Sequence, residues 1–334
     1  MSILRGLIVT LSVLVLVGIV AGGCASMNHR EIEQRLLAIE KNAPLRGHIQ
    51  QREAEVTLDG QVVRGMYRWT RFGKPGGPVV VLVHGTPSSM VTWTEVVHGS
   101  AGAPGLAADC DVWTVEVVGH GTCPTALDQC TFQACADWVS GFLDMQDLRQ
   151  VTLVGQSYGG EFVWRCALDR PQRVSKVVLM SSAGLPRKDD EWLSEEVKMR
   201  EWGFLARIGW MVSSPERVGP ALQLHFQQPL PAWRIEEVYL ACANRGTWNA
   251  MVDLARDENG TRSSELSQLQ QPTLLLWGDK DVAYKPERFG REFRERIPKA
   301  RWMSVPNSGH YPQEEQPQFV VQAVRAFAQE EIKP

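Results

Sequence analysis

The sequence predicts an α/β protein with a mostly parallel sheet, and three observations carry that prediction. Short, largely apolar runs rich in Val and Leu recur at 79–83, 151–154 and 273–277, as strands buried on both faces require. Stretches of helical spacing lie between them, the alternation expected of parallel strands joined by crossover helices. At 151–168 the two patterns meet. A strand run stops at Gly155, Ser157 stands between Gly155 and Gly159, and helical spacing resumes directly afterwards.

The amino terminus is not part of that fold. Arg5 precedes residues 7–20, which are apolar apart from Thr10, Ser12 and Gly18, and Ala21-Gly22-Gly23-Cys24 follows. This is a secretory signal with small residues before the cleavage point. A Cys placed there resembles a bacterial lipoprotein signal, which implies lipidation of Cys24 as the first residue of the mature protein. The alternative is an uncleaved signal anchor, although a spanning helix needs about 20 residues. Both readings place an exported protein on the periplasmic face of the cell envelope, tethered to a membrane. Residues 25–45 read as a tether, with a short amphipathic helix over 29–41.

The remaining elements follow in order. Runs at 54–58 and 62–69 around Asp59-Gly60-Gln61 are a hairpin. The run at 79–83 is a central strand ending in His84-Gly85-Thr86-Pro87. The strand at 111–117 leads into Gly119-His120-Gly121. Residues 131–146 form a helix, with Phe132, Cys135, Trp138, Val139, Phe142 and Leu143 on its apolar face. Strands at 151–154 and 174–180 come next. From 186 to 271 the pattern changes to helical alternation broken by prolines and carrying five tryptophans: Trp192, Trp202, Trp210, Trp233 and Trp248. Most of these are expected to pack that segment, with one or two facing a pocket. The strand at 273–277 ends in Gly278-Asp279-Lys280-Asp281. The last strand, at 300–305, ends in Pro306-Asn307-Ser308-Gly309-His310, and the closing helix spans 319–332.

Gly-x-Ser-x-Gly on a strand–turn–helix resembles the nucleophile elbow of the α/β-hydrolase family. The resemblance runs from about residue 54 to the end. It implies an eight-stranded, mostly parallel sheet flanked by helices, with a helical cap inserted after the sixth strand. The implied organisation is a core in two parts, 46–185 and 272–334, around a cap at 186–271, preceded by the 1–24 signal and the tether. In that family the third residue of the His-Gly-x-Pro turn and the residue after the Ser supply oxyanion N–H groups, here Thr86 and Tyr158. The order Ser157, Asp281, His310 is the family's chain order, and all three lie at strand ends that a parallel sheet brings to one edge. Ser157 alone is a weak nucleophile. His310 takes its proton, and Asp281 orients the imidazole. Asp279 competes for that role, but the second Asp of Gly-Asp-x-Asp usually serves, and Asp279 is expected in a turn hydrogen bond. His84 and His120 are expected to hold loops, and Glu315 to support the His310 loop.

A Ser at the elbow argues against dehalogenase and epoxide-hydrolase chemistry, which in this family uses Asp. The expected activity is cleavage of a small or medium apolar carboxylic ester through an acyl-enzyme, with a small-molecule substrate. Amide, thioester or carbon–carbon hydrolysis, or a non-catalytic envelope binding protein, are the alternatives. No metal cluster or phosphate-binding glycine loop is visible, so no cofactor or metal is expected. Net charge −3 without a basic stripe gives no sign of a nucleic-acid partner. Six cysteines remain after Cys24. Export permits disulfides. Cys110 and Cys123 flank one strand and are too far apart to join, whereas Cys123, Cys130 and Cys135 fall in one loop and helix start. The expectation is one disulfide, Cys123 with Cys130 or Cys135, or all six reduced.

Overall fold

In the computed structural model, residues 29–41, 44–45, 48–123, 125 and 127–331 are described. Cys24 and the signal segment lie outside them. Eight strands make one sheet: β1 (Gln50–Leu58), β2 (Gln61–Gly73), β3 (Val79–Val83), β4 (Asp111–Val115), β5 (Val151–Gln156), β6 (Val174–Met180), β7 (Thr273–Gly278) and β8 (Ala300–Val305). Their order is β1-β2-β4-β3-β5-β6-β7-β8. The β1–β2 and β2–β4 pairs are antiparallel, and every pair from β4 to β8 is parallel. The hairpin closes through Asp59 and Gly60, both at positive φ (49° and 80°), which matches the right-handed twist of the flanking strands. β1 begins four residues before the expected 54, at Gln50. It is an edge strand whose first residues are exposed, so ladder hydrogen bonds rather than burial define its start.

β3 and β5 lie at the centre and bury every residue except Val79 at the strand's mouth. Their side chains alternate between two apolar layers. With the helix His29–Lys41 as α1, one layer sets Val81, Val83, Leu153 and Leu275 against α2 (Phe132–Met145) and α3 (Tyr158–Asp169). The other sets Val80, Leu82, Val154 and Leu276 against the closing helix Pro317–Gln329. Thr131 caps α2 by accepting the Ala134 N–H.

Between β6 and β7 the chain is helical, with Ser194–Glu201, Pro215–Gln223, Ala232–Ala243 and Arg245–Asp257 as its longer helices. This insertion has an apolar core of its own: Leu222, Phe226, Val238, Cys242 and Met251, joined by Tyr311 from the main body. Trp248 packs against that core, whereas Trp202 and Trp233 are exposed. The helix His29–Lys41 buries Ile32 and Leu36 against Leu240 of the insertion, and Arg35 pairs with Glu236 beside them.

The expected Cys123 disulfide is absent. The six cysteines among the described residues are free thiols. Cys123 turns toward β2, where its Sγ lies 3.7 Å from the Met66 carbonyl oxygen, while the sulfurs of Cys130 and Cys135 approach each other to 3.5 Å. The loop leaves β4 toward the hairpin and only then swings back to α2, which separates Cys123 from the other two.

Candidate active site

Ser157 joins β5 to α3 at φ 56°, ψ −124°, a conformation that side-chain-bearing residues rarely adopt. Three backbone hydrogen bonds hold it there. Its N–H donates to Met180 O at 3.0 Å, and its carbonyl accepts from Gly160 and Ala183 at 2.9 and 3.0 Å. The loop after β3 runs against this turn so closely that a Cβ on Gly85 would stand 2.6 Å from Gln156 O and 2.8 Å from Ser157 Cβ. Only glycine permits that approach.

His310 and Asp281 reach the same edge from the ends of β8 and β7. His310 Nε2 lies 2.9 Å from Ser157 Oγ, and His310 Nδ1 lies 3.0 Å from Asp281 Oδ2. The other carboxylate oxygen, Oδ1, accepts the N–H groups of Ala283 and Tyr284 at 2.9 and 3.1 Å. With Oδ1 held, only Oδ2 faces the imidazole, which fixes the carboxylate plane. The three side chains are buried; Ser157 and His310 are each 4 % exposed. Asp279 points elsewhere and accepts the Ser308 N–H at 3.2 Å, the loop bond expected of it. Glu315 braces the same loop by accepting the N–H groups of Gly309 and, from the insertion, Gln227.

Thr86 follows Gly85 through the turn, and Tyr158 is the first residue of α3, where helix N–H groups point outward toward negative charge. His120 hydrogen-bonds the Thr86 hydroxyl through Nε2, and its Nδ1 lies 2.9 Å from Val118 O. His84 is wholly buried, with Nε2 3.1 Å from the Val117 N–H and 3.0 Å from Glu116. Both histidines therefore hold the 84–87 turn from behind, the loop-holding role expected of them. Burial alone would raise the Glu116 carboxyl. The His84 hydrogen bond and the nearby His84 and Arg68 charges outweigh it and hold Glu116 below the usual carboxylate range.

The insertion adds groups that the sequence did not single out. The His225 backbone carbonyl accepts the His310 backbone N–H at 2.8 Å, and the two rings lie 5.7 Å apart. A Cβ on Gly309 would meet His225 O at 2.2 Å. Burial first, and then the neighbouring His310 charge, push the His225 imidazole down to about 4. Arg234, 1 % exposed, grips Glu314 with two 2.9 Å hydrogen bonds and Glu237 with one of 2.8 Å, and reaches Ser88 at 3.3 Å. For Arg234 the only signal was its charge in a helix otherwise reading as packing, and His225, in the turn after the helix Pro215–Gln223, had none. A cavity of about 240 Å³ opens at the seam of insertion and main body, lined by Gly119, Leu127, Cys130, Arg245, Asn249 and Ala250; it does not include Ser157.

The family description "alpha/beta hydrolase fold" matches residues 78–317. The chain is 29 % identical over 325 residues to the dihydrolipoyllysine-residue acetyltransferase component of the acetoin cleaving system of Pseudomonas putida, covering 95 % of this chain and 81 % of that protein. It is 25 % identical over 276 residues to the carboxylesterase YbfK of Bacillus subtilis, covering 78 % and 86 %. The crystal structure of that carboxylesterase superposes with a TM-score of 0.69, covering 90 % of this chain and all of that one. The crystal structure of a membrane phospholipase A, a bacterial virulence factor, superposes with a TM-score of 0.67 at 23 % identity, covering 98 % of this chain and 97 % of that one.

Proposed function

The chain belongs to the α/β-hydrolase fold family, and we propose that it is a membrane-tethered serine hydrolase that cleaves a small or medium apolar carboxylic ester. The observation that carries this reading is the unbroken line from Ser157 Oγ through His310 to Asp281, at 2.9 and 3.0 Å. In that arrangement Ser157 Oγ–H donates to Nε2 and Nδ1–H donates to Asp281, the tautomer that leaves Nε2 free to take a proton.

The reaction follows from the geometry. Ser157 Oγ attacks the ester carbonyl carbon as its proton passes to His310 Nε2, and Asp281 stabilises the imidazolium. Charge gathers on the carbonyl oxygen, where the Thr86 and Tyr158 N–H groups donate to it; one such donor is worth about 10²- to 10³-fold in rate. The tetrahedral species collapses, the alcohol leaves with the proton from His310, and the acyl group remains on Ser157. Water then enters, gives a proton to His310 and attacks the acyl carbon. Collapse releases the acid and returns the proton to Ser157 Oγ. The helical insertion at 186–271 acts as the cap that sets specificity.

The carboxylesterase relative supports an ester substrate. A phospholipid acyl ester is a second reading, favoured by the composition of the insertion's surface. Among the described residues six of the nine exposed large apolar side chains, Trp202, Phe204, Leu205, Val212, Leu224 and Trp233, fall on this one segment. A panel of p-nitrophenyl esters of graded acyl length, with a diacylphospholipid beside it, decides between the two. A fluorophosphonate probe tests the common core of both: it should label the wild type and leave folded Ser157→Ala unlabelled. Equal labelling of the two proteins would contradict the assignment.

A further inference from the structure

Glu258 stands at the C-terminal end of the insertion helix Arg245–Asp257, and its side chain is 1 % exposed. Its two oxygens are spoken for by two tyrosines. Oε2 accepts the Tyr158 hydroxyl at 2.8 Å and Oε1 accepts the Tyr284 hydroxyl at 2.7 Å. Arg187, with a fully buried side chain, supplies countercharge at 3.5 Å. A buried carboxylate persists only with such partners, and hydroxyl donors to an ionised oxygen make strong, short bonds.

The two tyrosines belong to the two halves of the active site. Tyr158 directly follows Ser157, and its backbone N–H is one of the two oxyanion donors of the proposed mechanism. Its ring is also held edge-on by Phe132, with centroids 4.9 Å apart. Tyr284 donates its backbone N–H to Asp281 Oδ1, and its ring centroid lies 5.5 Å from that of His310. One carboxylate thus ties the residue after the nucleophile to the loop that carries the acid, and it reaches both from the insertion.

We infer that Glu258 is a positioning residue of the active site, fixing the distance between the elbow and the Asp281 loop while touching no reacting atom. This rests on the serine-hydrolase reading above. An elbow at positive φ relaxes unless its surroundings over-determine it, and Tyr158 is where those surroundings act. A misplacement of about 1 Å among reacting groups costs about 10²-fold in rate, so the clamp acts on kcat rather than on substrate affinity.

The test is steady-state hydrolysis of a p-nitrophenyl ester and the rate of fluorophosphonate inactivation, measured on the full chain. Glu258→Ala should lower kcat and the inactivation rate about 10- to 100-fold with KM little changed. Glu258→Gln should recover most of that loss, because its amide oxygen accepts from one tyrosine while its NH₂ donates to the other hydroxyl oxygen. Tyr158→Phe should lower kcat, and should add little to the loss in Glu258→Ala. If Glu258→Ala does not fold, Tyr158→Phe and Tyr284→Phe, each lacking a single hydroxyl, carry the test. Unchanged kcat in both, equal losses from Ala and Gln, or additive losses in the double variant overturn the proposal. A wild type that the fluorophosphonate leaves unlabelled overturns the serine reading and this proposal together. A labelled wild type with unaffected variants overturns this proposal alone.

Discussion

Asp279 and Asp281, two positions apart, have separate partners: Asp281 faces His310 Nδ1, and Asp279 holds the Ser308 N–H. Asp281→Asn should therefore lower kcat by about 10⁴-fold, since an amide there favours the wrong imidazole tautomer. Asp279→Asn retains an acceptor oxygen and should cost far less. The reverse order in an ester assay would reassign the acid. These residues were legible in the sequence because each sits in a short motif at a strand end. His225, Arg234 and Glu258 were not, because burial and a distant partner define them and no local pattern encodes either. His225 also carries a pH signature. Burial, and then the His310 charge, bring it to about 4, below an unfolded value of about 6.5. The unfolded chain then binds a proton that the folded one does not. This contribution to stability is full above about pH 6.5 and is lost as the pH falls toward about 4. Compared by urea midpoint, His225→Asn should gain stability relative to wild type on going from about pH 7 to about pH 4.5. A difference that does not change with pH would contradict this.

At the scale of elements, Arg234 makes the insertion and the main body one unit. It sits on the helix Ala232–Ala243, yet its guanidinium binds Glu314, four residues past His310, and Ser88 beside the oxyanion turn. Removing it strands Glu237 and Glu314 as buried carboxylates, so Arg234→Met should destabilise the fold by about 3–5 kcal/mol. Denaturant unfolding measures this, and a loss under about 1 kcal/mol would mean that the network is solvated. The strands of the sheet were readable because an apolar Val- and Leu-rich run bounded by Gly, Asp or His has few other uses. The helical insertion was readable as a change of pattern, but its internal arrangement was not, since its helices are amphipathic against one another. The cysteines show the same limit. Spacing placed Cys123, Cys130 and Cys135 in one loop, but the loop's path toward β2 takes Cys123 away from the other two.

At the scale of the molecule, the helix His29–Lys41 rests on the insertion through Ile32 and Leu36 against Leu240. It lies within the 25–45 stretch read as the tether, five residues after Cys24, the proposed lipidation site. Under that proposal the full chain partitions into the detergent phase, and Cys24→Ser abolishes incorporation of labelled fatty acid. Detergent partitioning with no label in the wild type would favour an uncleaved anchor instead. Among the described residues no helix is long and apolar enough to cross a membrane. The central claim, that turnover passes through an acyl group on Ser157, is most directly tested by acid-quenching the full-length protein during turnover of a p-nitrophenyl ester. Intact mass and peptide mapping should then show one acyl increment, carried by the peptide that contains Ser157. An increment on any other residue, or a His310→Ala protein that acylates as fast as wild type, would contradict the account.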